Sequence, residues 1–514
     1  MLQRSSAAST WEIVVSVVFF FCTTIITAES VSCANDDIQL QSNRVYRLVN
    51  CQKTLTLHAN ITLNEYVISN VTIIVEGSNT SALPTLKTCS LSWESIRILI
   101  VGVRIATTTC TTLIPSSNSL SQLHQFVIEI KDSVIQLHPS SNCVWLLQCL
   151  SAKNITNVSI SLVNSSLDLR NVALVDLSPS FASEVRNISI HLSDVILLVV
   201  YDPNMVTGRT GFVQVKNVVT YSAVSMTIRN ATISVVMNTT DIYQPLPVWW
   251  SLLHLEVVNT GENCALSMLN TTFNFTQLQQ DRSLVINNTV VSLSGLFLLL
   301  DFVSSTSTMT QFNFDARSCR IVGRTNAIVQ LMYASGSGTV QPNMSPLLSF
   351  HSRIDSVKAE IHNVGALPQQ NCERRASLLA FEKCAIAGSN ISVTNSQLAV
   401  TMDLGDGARA HTGDYTLLYY AVWLLRTQLV YIHNSVVQGS NISISYSSVD
   451  FRNSDGVMLT VSPFSLGVAQ GFACLFFVEL ASFTVVVLNG SNIVVQQSTV
   501  NASVRLEFRA VVSV

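Results

Sequence analysis

Charge is scarce in this sequence. Asp, Glu, Lys and Arg make up 11% of its 514 residues, where ordinary soluble domains carry about a quarter. The 28 Lys and Arg are scattered without a basic stripe and the formal net charge is −3, which argues against nucleic acid as a partner. Long apolar runs are scarce as well. A polytopic membrane protein needs many uninterrupted stretches of about 20 apolar residues. Here the hydrophobic 48% of the chain comes as short runs divided by Ser, Thr and Asn. Even the uncharged stretch Val457–Val478 is broken by Pro463 and Gln470, with strand periodicity on both sides, and reads as buried strand. Val, Ile and Thr are the residues that populate strands. The chain therefore reads as all-β.

Motifs for metal, redox and phosphate chemistry are missing too. None of the 12 Cys forms a Cys-x-x-Cys pair, which argues against a zinc ribbon or a thioredoxin-type site. The nine His never stand at i, i+4, and neither a Gly-x-Ser-x-Gly elbow nor a phosphate-cradling Gly loop occurs. Asp36–Asp37 reads as a loop. The densest polar cluster, Asp403, Asp406, Arg409, His411 and Asp414 in "DLGDGARAHTGD", lacks the Asp-x-Asp-x-Asp-Gly calcium order and reads as a solvated insertion. "NCERRASLLAFEKC", Asn371 to Cys384, has helical composition between two Cys and reads as a structural insertion, the alternative being a Cys-clamped insertion that contacts a partner. No catalytic, metal or cofactor-binding residue is assigned, and the chain reads as a non-enzyme.

What is present points to export. Arg4, the apolar run Ile13–Ile26 and small residues at Ala28, Ser30 and Ala34 follow the order of a secretory signal. Residues 1–34 are thus a signal peptide or a signal-anchor helix, the latter offering membrane attachment. Roughly 17 Asn-x-Ser/Thr acceptors follow, among them Asn60, Asn70, Asn154, Asn187, Asn390 and Asn441. These are glycosylation candidates in a secreted eukaryotic chain. The Cys spacing suits occasional disulfide clamps in an oxidising compartment. With Cys22 inside the signal the remainder is odd, so at least one thiol is free or paired between chains.

The strongest pattern is a repeat. "GSNISVTNSQL" from Gly388, "GSNISISYSSV" from Gly439 and "GSNIVVQQSTV" from Gly490 start 51 residues apart. After Asn390, Asn441 and Asn492, the first and third positions are Ile391 and Val393, Ile442 and Ile444, Ile493 and Val495. Alternation puts them on one face. After the Ser at the sixth position the parity changes, which requires a corner if the apolar side stays inward. Weaker copies at Val127, Asn157 and Asn187 start 30 residues apart. The period predicts rungs of about 25–30 residues, with 51 residues making two of them. Such repeats bury their apolar face only by stacking on neighbours, and all-strand units with corners point to a parallel β-helix.

Repeated "N-[IV]-[ST]-[IV]-x-x-S-x-[LV]" units behind a signal segment, thick with glycan acceptors, resemble the dispersed gene family surface proteins of kinetoplastid protozoa and their membrane-associated relatives. The resemblance spans residues 60 to 514. It implies a β-helix ectodomain at the cell surface, and those relatives are longer and end in several membrane helices.

The sequence is thus read as a signal or anchor over 1–34 and a parallel β-helix (β-solenoid, pectin-lyase-like) over 35–514. Its expected role is a glycosylated, adhesin-like interaction protein, secreted or at the cell surface, with a surface protein or glycan as partner. The alternative is a carbohydrate-active lyase or hydrolase on the same fold, which would stack Asp, Arg and Lys from adjacent rungs in one groove. Apolar alternation at Val504, Leu506 and Phe508 runs on to the end of the sequence. A truncated C-terminal end and self-association through that edge are therefore expected.

Overall fold

A computed structural model describes residues 29–31, 33, 37–59, 67–87, 92–109, 111–115, 122–149, 152–178, 184–201, 209–238, 249–278, 294–304, 306–324, 329–337, 347–364, 372–403, 422–453, 457–461, 473–503 and 506–510. The protein is all-β: every regular element among these residues is a strand, and the strands pair in parallel. Residues 1–28, which hold most of the expected signal or anchor helix, lie outside the described residues. Glu29–Val31, within that segment, is a strand paired with Val45–Val49.

The repeat sets the register. Asn390–Thr394 pairs with Asn441–Ser445, and Asn441–Ser445 with Asn492–Gln496, Asn opposite Asn throughout. A 51-residue interval therefore separates directly adjacent strands of one ladder, where two repeat units were expected within it. The reason is the long strand Val422–Gln438, which lies inside the interval and belongs to a different ladder. Upstream, Asn154–Val163 lies between Gln122–Lys131 and Glu184–Ser193. The step from Val158 to Ile188 is 30 residues as read from the sequence, but Val127 stands opposite Ser159 rather than Asn157.

Parity survives stacking. One column of register partners runs from Tyr46 through Ile73, Ile98, Ile128, Ile160, Ile190, Met226, Leu266, Phe314, Ser352, Ile391 and Ile442 to Ile493. Ile391, Val393, Ile442 and Ile444 are buried and Ile493 partly so. Val495 is 48% exposed, because no described strand lies over its turn. Each buried Ile, Val or Leu contributes about 1.5–3 kcal/mol, and nearly all of them join one cluster.

The parity change is a corner, as the pattern required. Asn395, Tyr446 and Gln497 hold φ of 50°, 50° and 46°, and Ser396 and Ser447 behind them are buried. The Ser447 hydroxyl donates to Ser445 O at 2.8 Å and accepts from the Ser396 N–H at 3.2 Å. Ser498 repeats this one turn on. A small hydroxyl thus satisfies backbone groups that the turn takes from the ladder. The chain leaves the corner into Gln397–Asp403, Ser448–Asn453 and Thr499–Ser503, which belong to an eleven-stranded sheet.

A 23-stranded sheet carries most of the other ladders, and a three-stranded and a two-stranded sheet hold the rest. Long strands run through two of them: Trp249–Glu262 pairs with Ser294–Phe302 along its first part and with Thr308–Arg317 along its last. Through such strands the pairings of ten strands close into a ring, with further strands outside it. "NCERRASLLAFEKC" is not a helical insertion. Cys372–Glu382 is a strand between Val329–Ser335 and Val422–Gln438. It buries Ala376, Leu378, Leu379, Ala380 and Phe381, and that packing overrides helix propensity. Cys384 is a free, buried thiol, so the alternative, a Cys clamp, does not form.

Candidate functional site

The glycan acceptors divide by geometry. Asn70, Asn154, Asn187, Asn390 and Asn441 are all exposed; Asn60 lies outside the described residues. Asn70 and Asn187 sit at positive φ, 55° and 53°. Asn70 Nδ2 donates to Asn43 Oδ1 and Asn187 Nδ2 to Asn157 Oδ1, each at 2.9 Å. Asn154, Asn390 and Asn441 instead open strands. Of the polar cluster read from sequence, Asp403 ends the strand Gln397–Asp403, while Asp406, Arg409, His411 and Asp414 lie outside the described residues.

Sequence reasoning missed a face of the ladder that carries Cys143–Cys149, Val172–Leu177 and the first part of Arg209–Arg229. Gln148, Asp176 and Gln214 are register partners in successive turns. Their neighbours Leu147 and Cys149, Val175 and Leu177, Val213 and Val215 are core, so alternation turns the three polar side chains to the opposite side. They form the floor of a cavity of about 620 Å³ whose walls include Thr109, Ser140 and Ser141. Among the described lining residues there is no Lys or Arg, and Asp176 is the one carboxylate. The Ser178 hydroxyl donates to Asp176 Oδ1, and Gln214 Nε2 donates to Gly211 O at 3.2 Å. Gly211 allows the close approach: a Cβ there would lie 2.8 Å from Val213 O and 3.1 Å from His254 Cβ.

The same column continues from Gln214 to His254, Leu299, Tyr333, Ala380 and Tyr431, and there it is buried, with charged groups beside it. His254 Nε2 lies 2.9 Å from Asp301 Oδ2, while the Ser335 hydroxyl donates to Asp301 Oδ1 at 2.7 Å. Asp301, Ser335 and Glu382 are register partners. Glu382 pairs with Arg375 and accepts from the Tyr333 hydroxyl at 2.7 Å. Arg375 lies 3.8 Å over the Tyr431 ring. Burial pushes His254 below the usual imidazole range, against the opposing pull of Asp301. Burial works to raise Glu382, but the Arg375 charge and the Tyr333 hydroxyl outweigh it and hold the carboxyl low.

This arrangement does not activate a nucleophile. A serine nucleophile needs the imidazole between itself and the carboxylate, and here Asp301 stands between Ser335 and His254. Beside it, the register partners Gln330, Ser377 and Gln428 are buried. Among the described residues, Gln330 Oε1, Ser377 Oγ and both amide atoms of Gln428 have no hydrogen-bond partner. A signal for this face was present: "SLLH" from Ser251, "QLMY" from Gln330, "SLLA" from Ser377 and "QLVY" from Gln428 share one frame.

Cys33 and Cys51 form a disulfide, and Cys143 is also disulfide-bonded. Cys149, Cys264, Cys319 and Cys384 are free and buried. No protein-family model matches this chain and no curated protein matches it.

Proposed function

We propose that this chain is a non-catalytic binding protein of the secretory pathway, glycosylated and either secreted or held at the cell surface. Its framework is a parallel β-helix of the pectin-lyase-like kind, an N-terminal anchor is one route to the membrane, and its partner is a surface protein or glycan. The observation that carries the reading is the groove floored by Gln148, Asp176 and Gln214. It is open, polar and built on strands, and its described lining offers one carboxylate and no Lys or Arg, whereas glycoside hydrolysis needs two carboxyl groups. Support for the coil comes from the parallel register kept between successive copies of the repeat.

A second reading, a carbohydrate-active enzyme on the same fold, is favoured by one observation. Asp301 and Glu382 stand in one register column with Ser335 between them, and Arg375 pairs with Glu382, an approach to the stacked Asp and Arg expected of such an enzyme. Burial and pairing argue against it: Asp301 and Arg375 are 7% and 6% exposed, Asp301 meets His254, and Arg375 meets Glu382. Labelling of unpermeabilised cells, together with assay of the secreted protein on polysaccharides, tests both readings. Surface label without shortened products is expected. Turnover that Asp301→Asn or Glu382→Gln abolishes would replace the first reading with the second.

A further inference from the structure

The binding reading leaves the ligand open, and the groove narrows it. Its floor repeats along the stacking direction as amide, carboxylate, amide: Gln148, Asp176 and Gln214. Successive turns lie about 4.8 Å apart, close to the length of one pyranose residue. Each amide both donates and accepts, and Thr109, Ser140 and Ser141 add hydroxyls that do the same. Such a lining matches a ligand whose own groups are hydroxyls.

The charge of the described lining disfavours the acidic alternative. The described lining holds no Lys or Arg to offset Asp176, so a uronate or sulfate would meet an uncompensated like charge. A peptide partner is also poorly served. Protein interfaces anchor on Trp, Tyr and Arg, and the described aromatic here, Tyr201, is 3% exposed with its hydroxyl 3.5 Å from Val172 O. Strand addition needs a free sheet edge, whereas the floor is a sheet face.

We infer that this groove binds a neutral oligosaccharide, with Gln148, Asp176 and Gln214 contacting successive sugar residues; the inference rests on the proposed binding function. Recognition by hydrogen bonds without ring stacking sets an affinity nearer millimolar than nanomolar.

The test uses the full chain secreted from a glycosylating host and stripped of its own glycans. Saturation-transfer NMR and calorimetry compare neutral hexose oligosaccharides of three to six residues with oligogalacturonate and heparin fragments. Saturable binding of a neutral oligosaccharide is expected. Asp176→Asn and Gln214→Ala should each weaken it at least tenfold with unchanged thermal unfolding, while Ser189→Ala, on another ladder, should leave it intact. Tighter binding of the acidic fragments, no binding of any neutral oligosaccharide, or indifference to both groove substitutions would overturn the inference. Capture of a surface protein free of glycan, by the same groove, would overturn it and leave the binding function standing. Shortened oligosaccharide products would overturn the non-catalytic reading and leave the groove's ligand class standing.

Discussion

Asn187 donates its side-chain amide to Asn157, its neighbour one turn below, across 2.9 Å, and both residues hold left-handed backbone, φ 53° and 57°. Asn tolerates that conformation better than any residue but Gly, and stacking gives it a partner of its own kind. Asn70 over Asn43 and Asn270 over Asn230 repeat the arrangement. A bend that costs strain in isolation thus becomes a bonded column.

Removing one member should be felt locally. Asn187→Ala loses the hydrogen bond, about 0.5–1.5 kcal/mol, and with it the local side-chain bonding by which Asn tolerates positive φ. Hydrogen exchange should quicken in Asn154–Val163 and Glu184–Ser193 and stay unchanged in Asn441–Ser445. Asn187→Gly, which relieves the strain, should lose less.

The same ladder should sort the glycan acceptors. Asn154, Asn390 and Asn441 present exposed amides at strand starts, whereas Nδ2 of Asn70 and of Asn187 is already engaged. In protein secreted from a glycosylating host, peptide mass spectrometry after glycosidase treatment should find Asn390 and Asn441 largely modified and Asn187 largely bare. The reverse pattern would show that the ladder does not protect its amides.

Acid should weaken the fold through the buried face. His254 is held below its ordinary value of 6.5, so the unfolded chain takes up its proton first. Its share of stability is complete above about pH 6.5 and falls as pH drops through that window. Glu382, held below 4.5, contributes stability above that value and loses it at lower pH. Both act in the same direction. His254→Gln should flatten the upper part of the acid limb in thermal unfolding and leave the Glu382 part below it.

The free thiols should be inert until the chain opens. Burial pushes Cys149 and Cys264 up to about 12 and Cys319 up to about 11, and raises Cys384 further. The thiolate is the reacting species. Alkylation of the native protein at pH 8 should spare all four and label them promptly in denaturant. Fast native labelling of Cys319 would mean that its turn opens readily.

Val495 and Val500 are 48% and 43% exposed, although their register partners Ile444 and Val449 are buried. Among the described residues no strand pairs with the outer side of Asn492–Gln496 or Thr499–Ser503, and an edge left so would be a template for association. Sedimentation should reveal concentration-dependent self-association that Val495→Lys with Val500→Lys reduces. A monomer indifferent to those charges would remove this edge as a docking surface.

Much of this architecture could be read from alternation. Ile391, Val393, Ile442 and Ile444 face inward, and Ser396 and Ser447 turn the corner where parity changes, because side-chain direction in a strand is fixed by position alone. The rung length could not be read so. Asn390 and Asn441 differ by 51 residues whether one turn or two lies between them, and only pairing decides. Val127 was misplaced by two residues for the same reason: a shift of two preserves parity, so nothing in the alternation penalises it. "NCERRASLLAFEKC" carried a true local propensity that the neighbouring strands overruled.

By itself, then, the sequence determined strand content, the inward face and the corners, since these depend on residues a few positions apart. Only the tertiary structure decided which polar side chains meet. Gln148, Asp176 and Gln214 are separated by 28 and 38 residues along the chain yet stand in adjacent turns. Segments of variable length loop out between turns without disturbing the ladder, because loop length costs little entropy. Spacing in sequence therefore carries no record of that column.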